Sequence, residues 1–367
     1  MNGRVRLFSA GQLTPWAAFL NAWFRADERS PSPHATAAWA WNTAWIRHYG
    51  DTVSLFGASA EVDGQPQAFV LLPRSRNRSV GPIPIQTQHL GTAGDPHEDG
   101  VFVEYATPWS GAGIDAAAFA AAAADEACRR RVEGTLPDRL DLDGVSGELR
   151  AALRQPPAGI EVRPSPFHDT SHGDPDRVLA ALGRSTRRNL KRRLNAYPGL
   201  RVEWSSDAPT SLQMLDELIP LHQARWTARG ERGAFASRRF EGFVRELIRL
   251  SDGDDRVILS RVSDDAGTVG CILLLRHGNH VCDYTAGFAS PQSRPSPGLV
   301  AHFANIREAA RRGVGGYEFL VGDARVKTDL ATGHRDLHWV QLPQATARIR
   351  MAAAARMIAR ALKRRAA

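Results

Sequence analysis

Residues 256–286 alternate apolar and polar side chains through three runs, 256–262, 268–276 and 279–286, and this pattern constrains the fold more than any other stretch. Asp265-Ala266-Gly267 and His277-Gly278 separate the runs, so they read as an antiparallel meander. A loop over 287–295 leads to Ser296-Pro297-Gly298 and an apolar helix over 297–312, which Gly313 stops. A short buried strand over 317–321 follows. A crossover helix carries the chain back across the sheet, so this strand lies parallel to the meander's last one. If those two strands splay, their ends leave a slot for an extended ligand.

The same order of elements occurs earlier in the chain, without sequence repetition. A helix over 39–49 precedes strands over 53–62, 65–72 and 85–90, a polar loop over 91–100, an alanine-rich helix over 116–131 and a strand over 139–142. In the second half, a strand over 200–204 and helices over 211–229 and 237–250 precede the meander. The chain has 367 residues, enough for two cores. The expected fold is therefore mixed α/β (α+β): two tandem domains, each a mixed, mostly antiparallel sheet flanked by helices. The boundaries are 1–165, a basic linker helix region 166–199, a catalytic domain 200–342, and a basic C-terminal helix 343–367 packing on the first domain.

Apolar content of 43% and charged content of 23% describe a soluble globular protein. No run approaches the roughly 20 apolar residues a membrane span needs, and residues 1–10 contain no signal-peptide core. Cys128, Cys271 and Cys282 form no spaced set, so neither a disulfide framework nor a metal site is implied. A reducing cytoplasm is the expected compartment.

The net charge is +8, yet of 47 basic residues only Lys191, Lys327 and Lys363 are lysine. Such an arginine bias, beside alanine-rich stretches, points to a GC-rich genome rather than to nucleic acid. It also makes each surviving lysine notable, because a compact ammonium is not interchangeable with a guanidinium. Two basic segments, 184–193 and 346–365, are the candidate contacts for tRNA, with solvated linker and docking helices as their alternatives. Neither carries the interleaved aromatics that stack on bases.

Ser296-Pro297-Gly298 is the sharpest local signal. Serine suits an N-cap, proline the first helical turn, and glycine a close backbone approach. Free N–H groups and the helix dipole then favour an anion, with Arg294 beside them. The pyrophosphate of coenzyme A fits such a place. The equivalent loop in the first half carries Asp95, Glu98 and Asp99, which would repel it.

An ordered set of motifs spans 221–330: Leu221-His222-Gln223-Ala224-Arg225-Trp226, Asp283-Tyr284-Thr285-Ala286-Gly287-Phe288, Ser296-Pro297-Gly298, Tyr317-Glu318-Phe319-Leu320-Val321-Gly322-Asp323, and Lys327. This set resembles a GNAT subfamily associated with cellulose or exopolysaccharide biosynthesis. That subfamily looks like a relative of the Fem-type aminoacyl-tRNA-dependent transferases, which also carry two GNAT-like domains. The resemblance implies an acyl-CoA donor, acetyl-CoA or another, held by main-chain amides. Arg294 and Gly298 match those positions, with Gly287, Ser296 and Leu299 around them. It also implies that Lys327 stabilises the reacting carbonyl, while Arg225 and Trp226 bind substrate. Two departures flank the lysine. Val326 stands where an aromatic residue is usual, and Asp329-Leu330 replaces the aromatic expected beyond, so the pocket shape differs.

Amide formation needs an amine that loses a proton, a polarised carbonyl and a leaving group that is accommodated. His222 shares a helical stripe with Leu212, Leu215, Ile219 and Trp226, so it points inward as a candidate base. Its alternative is a core histidine. Asp283 and Tyr284 are a candidate base and a proton donor to the thiolate; as strand neighbours they face opposite sides. Asp323 ends the last strand, where a carboxylate orients an ammonium. Glu104 and Tyr105 are candidates for lining the cleft between the domains. The expected function is N-acyl transfer from acyl-CoA to a small-molecule amine, the alternatives being an aminoacyl-tRNA donor and a non-catalytic scaffold.

Overall fold

The computed structural model describes residues 5–76, 79–80, 83–93, 101–130, 136–351, 353–355 and 357. The chain forms two compact units. One comprises Met1–Ser32, Thr36–Val162 and Leu337–Ala367, the other Pro33–Ala35 and Arg163–Asp336. Among the described residues no helix is long and apolar enough to cross a membrane.

In the first unit, β1 (Val5–Ser9) leads into α1 (Leu13–Arg29) and α2 (Trp39–Tyr49). Their buried Trp16, Phe19, Trp23, Trp41 and Trp45 form an aromatic core. Strands β2 (Phe56–Val62) and β3 (Gln65–Leu71) make the hairpin expected from Asp63-Gly64, both turn residues adopting positive φ. Five short strands follow, β4 (Arg74–Ser75), β5 (Ser79–Val80), β6 (Ile83–Pro84), β7 (Thr87–His89) and β8 (Trp109–Ser110), then α3 (Ala116–Arg129), β9 (Arg139–Val145) and α4 (Gly147–Ala152). One sheet runs β1-β2-β3-β8. In the other, the α3 crossover makes β7 and β9 parallel. The acidic loop expected to repel a pyrophosphate, with Asp95, Glu98 and Asp99, lies outside the described residues. So do residues 352, 356 and 358–365 of the C-terminal basic segment. Its described start is tied within this unit by Thr346 Oγ1, which donates to Asp138 at 2.6 Å.

β10 (Gly159–Asp169) begins in the first unit and ends in the second. There follow α5 (Pro175–Ala181), α6 (Arg184–Leu194), β11 (Arg201–Trp204), α7 (Ala208–Thr227) and α8 (Arg238–Leu250). The meander is β12 (Val257–Asp264), β13 (Gly267–His277) and β14 (His280–Phe288); then come α9 (Pro297–Arg311), β15 (Gly316–Glu318), α10 (Arg325–Leu330) and β16 (Gly333–Pro343). The second unit's strands order as β11-β12-β13-β14-β15-β10. All neighbours are antiparallel except β14 and β15, which are parallel across α9.

Ile272, Leu274 and Val281 pack with Phe303 and Ile306 of α9, Val178 of α5 and Leu190 of α6. Gly287 faces α7 so closely that an added Cβ would lie 2.6 Å from the Leu218 carbonyl oxygen, whereas its neighbour Phe288 meets Gly298 of α9. One strand end is thus pinned between two helices.

Several elements carry no cue in the sequence, α1, β10 and β16 among them. Gln12 caps α1 with no side-chain bond. In β10, Pro164 and Pro166 suggest a boundary, but the residues paired to β15 are Phe167, His168 and Asp169, just past them. β16 mixes His334, Asp336, His338 and Gln341 with its apolar positions and offers no clean alternation.

Candidate active site where two parallel strands part

Two local features open the second unit's sheet. The β13–β14 register slips between Leu273, opposite Thr285, and Leu274, opposite Asp283, so Tyr284 is bulged out of the ladder. The β14–β15 pairing covers only His280–Cys282 against Gly316–Glu318. Beyond it the chain turns away: the Phe319 N–H donates to the Pro166 carbonyl, and Leu320 adopts φ 57°. The strand expected over 317–321 therefore stops at Glu318, and Asp283 sits at the point where the two strands part.

A cluster of polar side chains converges there. His302 of α9 places Nε2 3.7 Å from Asp283 Oδ2, and its Nδ1 lies 3.1 Å from the Tyr317 hydroxyl. Burial pushes the Asp283 carboxyl up to about 6, against the opposing charges of Lys327 and Arg225. Burial, followed by those same two charges, holds His302 down to about 3, so it is neutral. Tyr317 is held well above its ordinary value by burial and keeps its proton. The hydroxyl then donates to Nδ1, which leaves the imidazole proton on Nε2, facing Asp283. Lys327 Nζ donates to the Leu320 and Val321 carbonyls at 3.1 and 2.9 Å. Gly322, at φ 146°, makes room for it, since a Cβ there would lie 2.9 Å from Nζ.

Of the sequence candidates, the structure brings together Asp283, Lys327 and Arg225. His222 is committed elsewhere. Its Nε2 accepts the Ala234 N–H at 3.2 Å and its Nδ1 donates to the Ala286 carbonyl at 3.0 Å, so no ring nitrogen is left for a substrate proton. Burial also lowers its pKa, against the Ala286 bond. His222→Ala is expected to lower the melting temperature by several degrees, through lost packing and two lost hydrogen bonds, while the acid limb of the rate–pH profile stays put. A shift in that limb would restore it as a base.

Tyr284 turns toward Phe240 of α8, 6.5 Å between rings, whereas Asp283 meets α9. The expectation that these neighbours face apart describes the geometry, and it takes the tyrosine away from the cluster. Asp323 is exposed between Gly322 and α10. Trp226 packs between His222 and Arg229 at 5.8 Å from each. Glu104 and Tyr105 belong to the first unit, against Gly144 of β9.

The start of α9 differs from expectation in three ways. Ser296 occupies the cap position at φ 59° with no side-chain cap bond. Arg294 is paired with buried Asp264, so its charge is neutralised within the protein. The space over Gly298 holds the Phe288 ring, which a Cβ added there would meet at 3.2 Å. The missing cap leaves the amides of Gly298 and Leu299 without a side-chain partner, at the positive end of a 15-residue helix.

His302 and Tyr317 are the site residues the sequence reading did not single out. His302 lies one turn beyond Gly298 on a helix buried on most sides, and a polar residue in the apolar first turns of such a helix, ahead of buried Asn305 and Glu308, is the signal that marks it.

Residues 184–328 match the family model described as "Acetyltransferase (GNAT) domain". FemX is similar in structure at TM-score 0.52 and 12% identity, over 81% of this chain and 90% of that one. The C-terminal domain of an Agrobacterium fabrum protein described as a lysylphosphatidylglycerol synthetase gives 0.53 and 12%, over 91% and 95%. A conserved Bacteroides thetaiotaomicron protein of unknown function gives 0.50 and 11%, over 88% and 96%. No curated relative matches. The fold is thus GNAT-like. The cluster around Asp283 lies inside residues 184–328, the segment that matches the acetyltransferase (GNAT) domain model.

Proposed function

We propose that the second unit transfers an acyl group from an acyl-CoA to the amine of a small acceptor, forming an amide. The observation that carries this reading is the uncapped first turn of α9 beside the parting of β14 and β15. The amides of Gly298 and Leu299 hold the donor's pyrophosphate, and the thioester reaches the opening at Asp283. The acceptor nitrogen attacks the carbonyl, the C–N bond forms, and the C–S bond breaks to release the thiolate. Asp283, ionised above pH 6, takes the amine's proton. The positive charge of Lys327 favours the oxyanion that develops on the carbonyl. The motifs over 221–330 further support an acceptor from polysaccharide biosynthesis.

Acetyl-CoA at 100 times its dissociation constant is expected to stabilise the protein by about 2.7 kcal/mol, read as a rise in melting temperature. No shift with acetyl-, succinyl- or long-chain acyl-CoA would remove the thioester donor.

One feature favours a second reading, transfer from aminoacyl-tRNA. The α6 helix exposes Arg184, Arg188, Lys191 and Arg192, and none of them holds an ion pair among the described residues. RNase-sensitive transfer that weakens steeply with salt selects that donor.

A further inference from the structure

Arg225 stands in the last turn of α7 and lays its guanidinium over the Phe288 ring, 5.6 Å from the centroid. The residue is half-buried, and it forms no hydrogen bond or ion pair with any described residue. Three half-buried arginines that pack on the same sheet and its helices are paired instead. Arg261 holds Glu217 and Glu203, Arg245 holds Asp216 and Glu241, and Arg294 holds Asp264. A guanidinium has five N–H donors in a planar fork, and removing them from water without partners is costly. Burial, and then the charge of Arg229, lowers its pKa, with Asp283 opposing.

The surroundings are cationic too. Lys327 donates to neutral carbonyls, His302 is neutral, and Asp283 is the carboxylate whose charge reaches this group. A desolvated fork of donors beside an excess of positive charge is complementary to an oxyanion, which it binds in bidentate fashion.

We propose that Arg225 receives an acidic group of the acceptor, so that the amine acylated at this site carries a carboxylate or a phosphate. This rests on the acyl-transfer reading for the identity of the ligand, while the anion site itself rests on the geometry alone. The donor's phosphates are the competing source, and they are separable by experiment.

Acylation by acetyl-CoA is followed by mass spectrometry on amine pairs that differ in charge: L-alanine and L-glutamate against their amides, and glucosamine 6-phosphate against glucosamine. The charged member is expected to react at least about tenfold faster. Arg225→Met, which keeps the apolar stem over Phe288, is expected to erase that ratio and leave the KM for acetyl-CoA within twofold. Equal rates within each pair, or a raised KM for acetyl-CoA with the ratio intact, would overturn the assignment. Melting temperatures give an arm independent of transfer. Without ligand, Arg225→Met is expected to melt no lower than the parent, because it loses a charge with no partner. Acetate and inorganic phosphate are expected to raise the parent's melting temperature more than the variant's. Equal gains, or an unliganded variant that melts several degrees lower, would make Arg225 structural. A missing acetyl-CoA shift would instead remove the donor reading and leave this result standing.

Discussion

Replacing Asp283 with asparagine is expected to abolish most acyl transfer and to raise the melting temperature at neutral pH. The two effects have one origin. Asp283 is enclosed by α9, β15 and α10, and burial raises its pKa from 3.8 to about 6 in spite of Lys327 and Arg225. Above pH 6 the folded chain therefore carries an ionised carboxylate that its surroundings disfavour. The unfolded chain ionises the same group freely, so the cost is present at neutral pH. It disappears as pH falls through 6 toward the ordinary carboxylate range, where both states hold the proton. Asparagine keeps the shape and removes the charge, so the gain is on the order of 2 kcal/mol at pH 7.5, shrinking toward zero at pH 4. Losing the proton acceptor costs roughly 10²- to 10⁴-fold in rate. Higher stability with lower activity also excludes misfolding as the cause of the loss. An Asp283→Asn protein that transfers at the parent rate, or one that melts lower at pH 7.5, would exclude the aspartate as the base.

The sequence displays the frame of this site better than its centre. The meander, the Pro297 start of α9 and the parallel strand at Tyr317 follow from period-two patterning, from helix-start chemistry and from the handed crossover, all of them local rules. The bulge at Tyr284 follows from none of them, and it sends Asp283 to α9 and Tyr284 to α8. His222 shows the limit of a helical stripe. The stripe gives an inward direction, but the second bond of the ring comes from Ala234, twelve residues on, in a loop. Arg294 shows the same limit for charge, because its partner Asp264 is 30 residues away on β12. Lys327 was visible because lysine is rare here and because its motif is ordered. Arg225 was visible only as part of a motif, and its want of a partner is a property of three-dimensional packing.

Lys327→Met is expected to produce the second large effect, and the rate–pH profile carries its signature. The ammonium does two things. It bonds the carbonyls of Leu320 and Val321, holding a turn in which Leu320 sits at φ 57°, a region costly for a residue with a Cβ. It also places a positive charge that lowers the Asp283 pKa. Methionine keeps the length and loses both functions. The turn relaxes, the oxyanion loses its nearby cation, and kcat/KM is expected to fall about 10²- to 10³-fold. Without the charge, Asp283 holds its proton to higher pH, so the acid limb of the surviving activity moves upward rather than vanishing as it does in Asp283→Asn. Lys327→Arg does not rescue the activity, because the longer fork must occupy a space so close to Gly322 that even a Cβ on that glycine would lie 2.9 Å from Nζ. A normal rate with an unmoved limb would mean that the lysine only braces the turn. The catalytic charge would then have to come from Arg225.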